Sequence, residues 1–370
     1  MSDRPSVFTS VLGLGACLTL AACSNDTAQE TTTTEEVSAP VALAASPIQA
    51  PARTWTWVDF PGAHCRDGSG TGISVNWVPG SKKVLIYLDS GGACFSQWSC
   101  NNNRANGGPR SGNDGIFNRG NSANPFADYN QVFVPYCSGD WHAGNQPQGN
   151  VPGVGPQQFV GYKNLDLFLD RIIATFPDAS QVTLTGTSAG GLGVFYNASH
   201  VARRFGNVPM LAIPDSGPPT PTRTAPACFQ DLLRQLWNLD ATVLADCGAD
   251  CPKKNDYFVD LTMHYARGAN HRTGIVNAYD DSVDIEWYNN GGQACSPPAP
   301  RFSTADWEAS LRDLRQIGGG ARNRFGTYYV PSTSHGWIVY GQFFSTTVNG
   351  TRMTDWTRDL LNGTYRDIGP

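Results

Sequence analysis

A strand-like run, Val182-Thr183-Leu184, leads into Gly186-Thr187-Ser188-Ala189-Gly190-Gly191, and a helical pattern from Leu192 to Phe205 follows at once. A serine with glycines two residues away on either side reads as a sharp turn from strand to helix. No Cβ fits at those flanking positions. The pattern G-x-S-x-G is short, and the chain holds 40 glycines, so its weight comes from the strand before it and the helix after it. Such a turn demands a buried strand with a helix folded back against it.

Other segments supply the matching parts. Val84-Leu85-Ile86-Tyr87-Leu88 is a continuous apolar run, as expected of a strand buried on both faces. Val132–Tyr136, Met210–Ile213, Thr273–Ala278 and Thr327–Val330 are further strand candidates. Between Gln157 and Phe176 the apolar residues Leu165, Phe168, Ile172, Ile173 and Phe176 recur at helical spacing. Strands alternating with helices predict an α/β fold of the α/β-hydrolase type, with a mostly parallel sheet and helices on both faces. The segment from Pro218 to Asn270 fits no such unit and reads as an insertion over the sheet.

The N-terminal residues predict export. Arg4 precedes a 16-residue uncharged run, Val7 to Ala22, that is short for a bilayer span. It ends in Leu20-Ala21-Ala22-Cys23, which resembles a bacterial lipobox, so 1–22 reads as a lipoprotein signal peptide and Cys23 as the lipidated residue. Acyl chains there would hold the protein on a membrane of the cell envelope without a spanning helix; the alternative is an ordinary secretory signal cut near Ala21-Ala22, which would leave the protein secreted. Residues 23–52 are rich in Thr, Ala, Glu and Pro and lack aromatic residues, predicting a disordered tether before a catalytic domain over 53–370.

The formal charge is −5, and four uncompensated acids of the tether leave the folded part near neutral. That excludes a polycationic nucleic-acid surface, and nothing points to more than a monomer. Beyond Cys17 and Cys23 the chain has eight cysteines, an even number that predicts four disulfides in an oxidising compartment. Cys94–Cys100 and Cys247–Cys251 are candidate short-range pairs. Their spacings do not suit a metal site.

Ser188 needs a base, and the base needs a carboxylate. In the hydrolase order of Ser, acid, His, the histidine comes last. His64 and His142 precede the serine, His200 lies about 18 Å along the helix, and His264 and His271 fall in or beside the insertion. His335, in a small-residue loop after a strand, remains. Asp280 and Asp281 end the strand Gly274–Ala278, and spacing does not choose between them. The N–H of Ala189 and those of the loop Asp89-Ser90-Gly91-Gly92-Ala93 are candidate oxyanion donors.

Together these residues resemble the pectin acetylesterase and Notum family of serine carboxylesterases. The resemblance runs from about Trp57 to Trp337 through Tyr87–Cys94, Val134–Asp140, Gly186–Gly191, Asp215-Ser216-Gly217, Asn277–Asp280 and Ser334-His335. It implies Asp280 as the acid, and Gly92 and Ala93 as oxyanion donors beside Ala189. It also implies an ester substrate, small or on a polysaccharide, hydrolysed through an acyl-enzyme without metal or cofactor. Relatives often carry Trp where this chain has Ala93, so the acyl side of the site is expected to be opened or reshaped. Trp98, Trp141 and Trp337 fall in motif loops and are candidates to line the cleft. A depolymerase or lipid deacylase on the same residues, or a glycan- or lipid-binding lipoprotein without catalysis, are the alternatives.

Overall fold

The computed structural model describes residues 45–110, 112–251, 256–320 and 324–370. The signal segment, Cys23 and the tether up to residue 44 lie outside the described residues. The last part of the expected tether does not. Ile48 is buried, its N–H donates to Thr175 Oγ1 at 2.8 Å, and Ala52 bridges to Trp77. One aliphatic anchor with backbone bonds on either side is enough to dock 45–52 on the domain, which therefore begins earlier than residue 53.

The strands are β1 (Thr56–His64), β2 (Gly70–Asn76), β3 (Lys83–Leu88), β4 (Asn130–Val134) and β5 (Gln181–Thr187). They continue with β6 (Met210–Asp215), β7 (His271–Ala278), β8 (Phe325–Val330) and β9 (Asp367–Ile368). These nine form one sheet in the order β1-β2-β4-β3-β5-β6-β7-β8-β9. Every pair from β4 to β9 is parallel, and β1 and β2 add an antiparallel edge. The sequence expectation of an α/β-hydrolase-like sheet holds. The edge hairpin carries no continuous apolar run, which is why it was not legible.

The longer helices among the described residues are α1 (Gly161–Thr175), α2 (Ala189–Phe205), α3 (Ala227–Leu236), α4 (Tyr257–Ala266), α5 (Ser282–Gln293), α6 (Thr304–Gly319) and α7 (Met353–Leu361). Alternation in the strands assigns them to faces. Val84, Ile86 and Leu88 of β3 join Leu165, Phe168 and Ile172 of α1 and Val194 and Val201 of α2. Leu85 and Tyr87 point the other way, into a cluster with Trp356 and Leu360 of α7. A strand buried on both faces has no polar side to show, hence the unbroken apolar run. The 218–270 segment supplies α3, α4 and a third apolar cluster centred on Phe229, Trp237 and Phe258.

All eight cysteines outside the first 23 residues are paired, as Cys65–Cys137, Cys94–Cys100, Cys228–Cys295 and Cys247–Cys251. Both expected short-range pairs form. Loop closure makes the long-range bridges the more stabilising: Cys65 and Cys137 are 72 residues apart and Cys247 and Cys251 only 4. Replacing Cys65 and Cys137 together by Ser should lower unfolding free energy by about 4 kcal/mol, and replacing Cys247 and Cys251 by about 2. Guanidinium titration of the two variants checks the order.

Candidate active site

Ser188 stands between the end of β5 and the start of α2 with φ 59° and ψ −121°, a backbone region costing a non-glycine residue about 1–3 kcal/mol. Its N–H donates to Asp215 O at 2.8 Å, and Leu192 N–H donates to Ser188 O at 3.0 Å. The flanking glycines follow from the close passage of β3. A Cβ at Gly190 would sit 2.0 Å from Leu88 O, and one at Gly186 would lie 2.6 Å from Leu88 O. The strained turn lifts the hydroxyl above the ends of the parallel strands.

His335 lies in the loop after β8, and that loop is held from β6. One Asp215 oxygen, Oδ2, accepts from Trp337 N–H at 2.7 Å, Ile338 N–H at 2.9 Å and the Thr187 hydroxyl at 2.9 Å. Gly336 N–H donates to Ser216 Oγ at 3.0 Å. Burial pushes the Asp215 carboxyl up to about 6, against the lowering by these bonds. The Asp215-Ser216 corner thereby fixes the segment that follows the histidine.

The imidazole finds its carboxylate in Asp281. Nδ1 is 2.9 Å from both Asp281 oxygens, and Asp281 is wholly buried. This corrects the expectation of Asp280. Asp281 is the N-cap of α5, with Oδ1 accepting from Val283 N–H at 3.1 Å and Asp284 N–H at 3.0 Å. Capping turns its carboxylate back over the first helical turn, toward His335. Asp280 belongs to the strand end: its N–H donates to Ser332 O at 3.1 Å and its Oδ1 is buried without a partner among the described residues. A signal was present, since an aspartate directly before a helix is a capping residue. The motif resemblance points one residue too early.

A second acid, Asp284, follows one turn along α5. Its Oδ1 is 3.8 Å from His335 Nδ1, and its Oδ2 accepts from Gly217 N–H at 2.9 Å. Burial, then the Asp281 charge, pushes Asp284 up to about 8. For His335, burial opposes the charged ring, but Asp284, Asp281 and Asp215 outweigh it and raise the pKa. The donor atoms of Asp281, Asp284 and His335 lie within 4.8 Å of one another, a set that could also hold a cation. An ion on Nδ1 would displace the proton that the Asp281 contact binds, so these atoms serve one role or the other. Nε2 of His335 is buried with no hydrogen-bond partner among the described residues.

Two carbonyls of the loop after β3 are taken up by donors. Gly91 O accepts from Asn103 Nδ2 at 2.7 Å and Arg104 N–H at 2.8 Å, and Gly92 O accepts from the Tyr136 hydroxyl at 2.9 Å. The N–H groups of Gly92, Ala93 and Ala189 donate to no acceptor among the described residues. Gly92 and Ala189 line one cavity with Ser188, while the Ala93 side chain is buried in the core.

Two spaces meet at Ser188. One is an apolar cavity of about 20 Å³ walled by Phe95, Trp141, Leu192, Phe229, Trp287 and Tyr288. The other is an open polar cleft of about 530 Å³ lined by His335, Trp98, Asn102, Arg104, Glu286 and Tyr340. Trp98 thus borders the cleft and Trp141 the cavity, whereas Trp337 is core. The Ala93 side chain is buried in the core, and the wall beside Gly92 is the Trp287 indole from α5, within 2.5 Å of where a Cβ at Gly92 would stand.

The sequence model of the pectinacetylesterases matches residues 52–259, more than half of the chain. The chain belongs to the pectinacetylesterase family. It is also similar to the palmitoleoyl-protein carboxylesterase NOTUM of Schmidtea mediterranea, at 32% identity over 155 residues, covering 38% of this chain and 29% of that protein. The human NOTUM is 28% identical over 152 residues, covering 38% of this chain and 30% of that one. The match thus spans under a third of these relatives' length. The solved Wnt deacylase Notum from Drosophila superposes with a TM-score of 0.62 at 20% identity, covering 85% of this chain and 95% of that one, a likeness of fold.

Two outcomes follow for this member of the pectinacetylesterases. Asp281→Asn should lower ester turnover by about 10⁴-fold, while Asp280→Asn should lower it by less than about tenfold; kcat on a p-nitrophenyl ester separates them. A base acts when neutral, so kcat/KM should rise with pH through an apparent pKa above the ordinary 6.5 of histidine.

Proposed function

We propose that this protein is an exported serine carboxylesterase that removes an acetyl or other short acyl group from a bulky polar alcohol, such as a polysaccharide hydroxyl. The observation that carries the reading is Ser188, on a strained turn, facing the same cleft as a histidine whose far nitrogen is bound to a buried carboxylate. Ser188, His335 and Asp281 act as nucleophile, base and orienting acid.

The Ser188 Oγ attacks the ester carbonyl as its proton passes to His335 Nε2. A C–O bond forms, and the carbonyl electron pair moves to oxygen. The N–H groups of Gly92, Ala93 and Ala189 hold that oxyanion, and losing one such donor costs about 3 kcal/mol of barrier. Asp281 keeps Nδ1 protonated and stabilises the imidazolium. The intermediate collapses, the bond to the alcohol breaks, and Nε2 returns its proton to the leaving oxygen. Water then attacks the acyl-serine by the same route, releasing the acid and restoring the hydroxyl.

The two spaces divide the substrate. The 20 Å³ cavity suits a methyl-sized acyl end, and the cleft with exposed Trp98 and Tyr340 suits a sugar-like alcohol that stacks on aromatic faces. The NOTUM relatives are named for a palmitoleoyl group, which the small cavity here does not accommodate. Four disulfides and the leader support export, with Cys23 as the lipid anchor in the cell envelope. Among the described residues no helix is long and apolar enough to cross a membrane. Ser188→Ala should reduce p-nitrophenyl acetate hydrolysis by at least about 10⁴-fold with an unchanged circular dichroism spectrum; retained turnover would reject the reading.

A further inference from the structure

We infer that Trp287 is the residue that limits the acyl group, acting as a partition between the acyl cavity and the alcohol cleft. The inference rests on the esterase reading above and deepens it by naming what sets acyl length. Trp287 alone among the large aromatic walls borders both spaces: it lines the 20 Å³ cavity and the 530 Å³ cleft. The other walls are locked into the core. Phe95 and Phe229 are 3% and 1% exposed and meet ring to ring at 5.0 Å. Trp141 is 5% exposed and packs at 5.0 Å on Trp237, itself fully buried. Trp287 is partly exposed, and the neighbour it meets at 5.0 Å is Trp98, 38% exposed on the cleft side.

Its placement is dictated by the same helix that supplies the acid. Asp281, Asp284 and Trp287 recur every third residue from the N-cap of α5, so they share a face that looks onto the site. The indole rests on Gly92, where any side chain would occupy the ring's place. A cavity of about 20 Å³ holds one or two water-sized groups, at roughly 10–15 Å³ for each. The methyl of an acetyl group fits. A longer chain meets the indole, and with the indole gone it would run on into the cleft rather than into packed core.

The test compares p-nitrophenyl acetate, butyrate and hexanoate on the wild type, Trp287→Ala and Trp287→Phe, read as the ratio of kcat/KM for hexanoate over acetate. Trp287→Ala should raise that ratio by at least about tenfold, and Trp287→Phe by a smaller factor in the same direction. An unchanged ratio in Trp287→Ala that still cleaves acetate overturns the inference. Should Trp287→Ala fail to fold, an unchanged ratio in Trp287→Phe does so instead. Wild-type protein that cleaves none of the three esters would overturn the esterase reading and this inference with it.

Discussion

Asp215 Oδ2, buried at the end of β6, takes three donors at once: the N–H groups of Trp337 and Ile338 and the hydroxyl of Thr187. Much of the site depends on that single oxygen. Thr187 precedes Ser188, and Trp337 and Ile338 follow His335, so one carboxylate ties together two loops from different strands. Its neighbour Ser216 adds Gly336, and Gly217 N–H reaches Asp284. A parallel sheet makes this possible, because the C-terminal ends of β5 to β8 emerge side by side and their loops can be cross-linked by short contacts. Precise placement of a base then requires no long-range lever, only a buried polar hub with its donors satisfied.

Much of this was legible in the chain. The strand cores were readable as two-faced apolar runs, and the proposed Ser188 and His335 each carry a local mark, a glycine-flanked serine and a lone histidine in a small-residue loop. The choice between Asp280 and Asp281 was not made by such a mark in the strand. It was made by the helix that begins next, since only the capping aspartate has its carboxylate turned toward the ring. Asp215 stood out as part of a motif, but its work as a hub depends on where β6 and the histidine loop meet. That is a property of the folded sheet. The antiparallel edge of β1 and β2, and the docking of Ile48, depend likewise on surfaces that exist only after the sheet has formed.

The walls around Ser188 come from elements far apart in the chain. By sequence alone, Ala93 where relatives often carry Trp reads as an opened or reshaped pocket. The cavity wall beside Gly92 comes from Trp287, in a helix nearly two hundred residues further along, with Gly92 leaving room for it. The 218–270 segment adds Phe229 on the opposite wall. Elements distant in sequence therefore form the walls around Ser188.

That Ser188 is made reactive by His335 is the claim on which the functional account stands. Incubating the protein with a fluorophosphonate and mapping the modified peptide by mass spectrometry tests it most directly. The label should fall on Ser188 in wild-type protein and vanish in a folded His335→Ala variant. Label on another residue, or equal labelling of Ser188 with and without the imidazole, would contradict it.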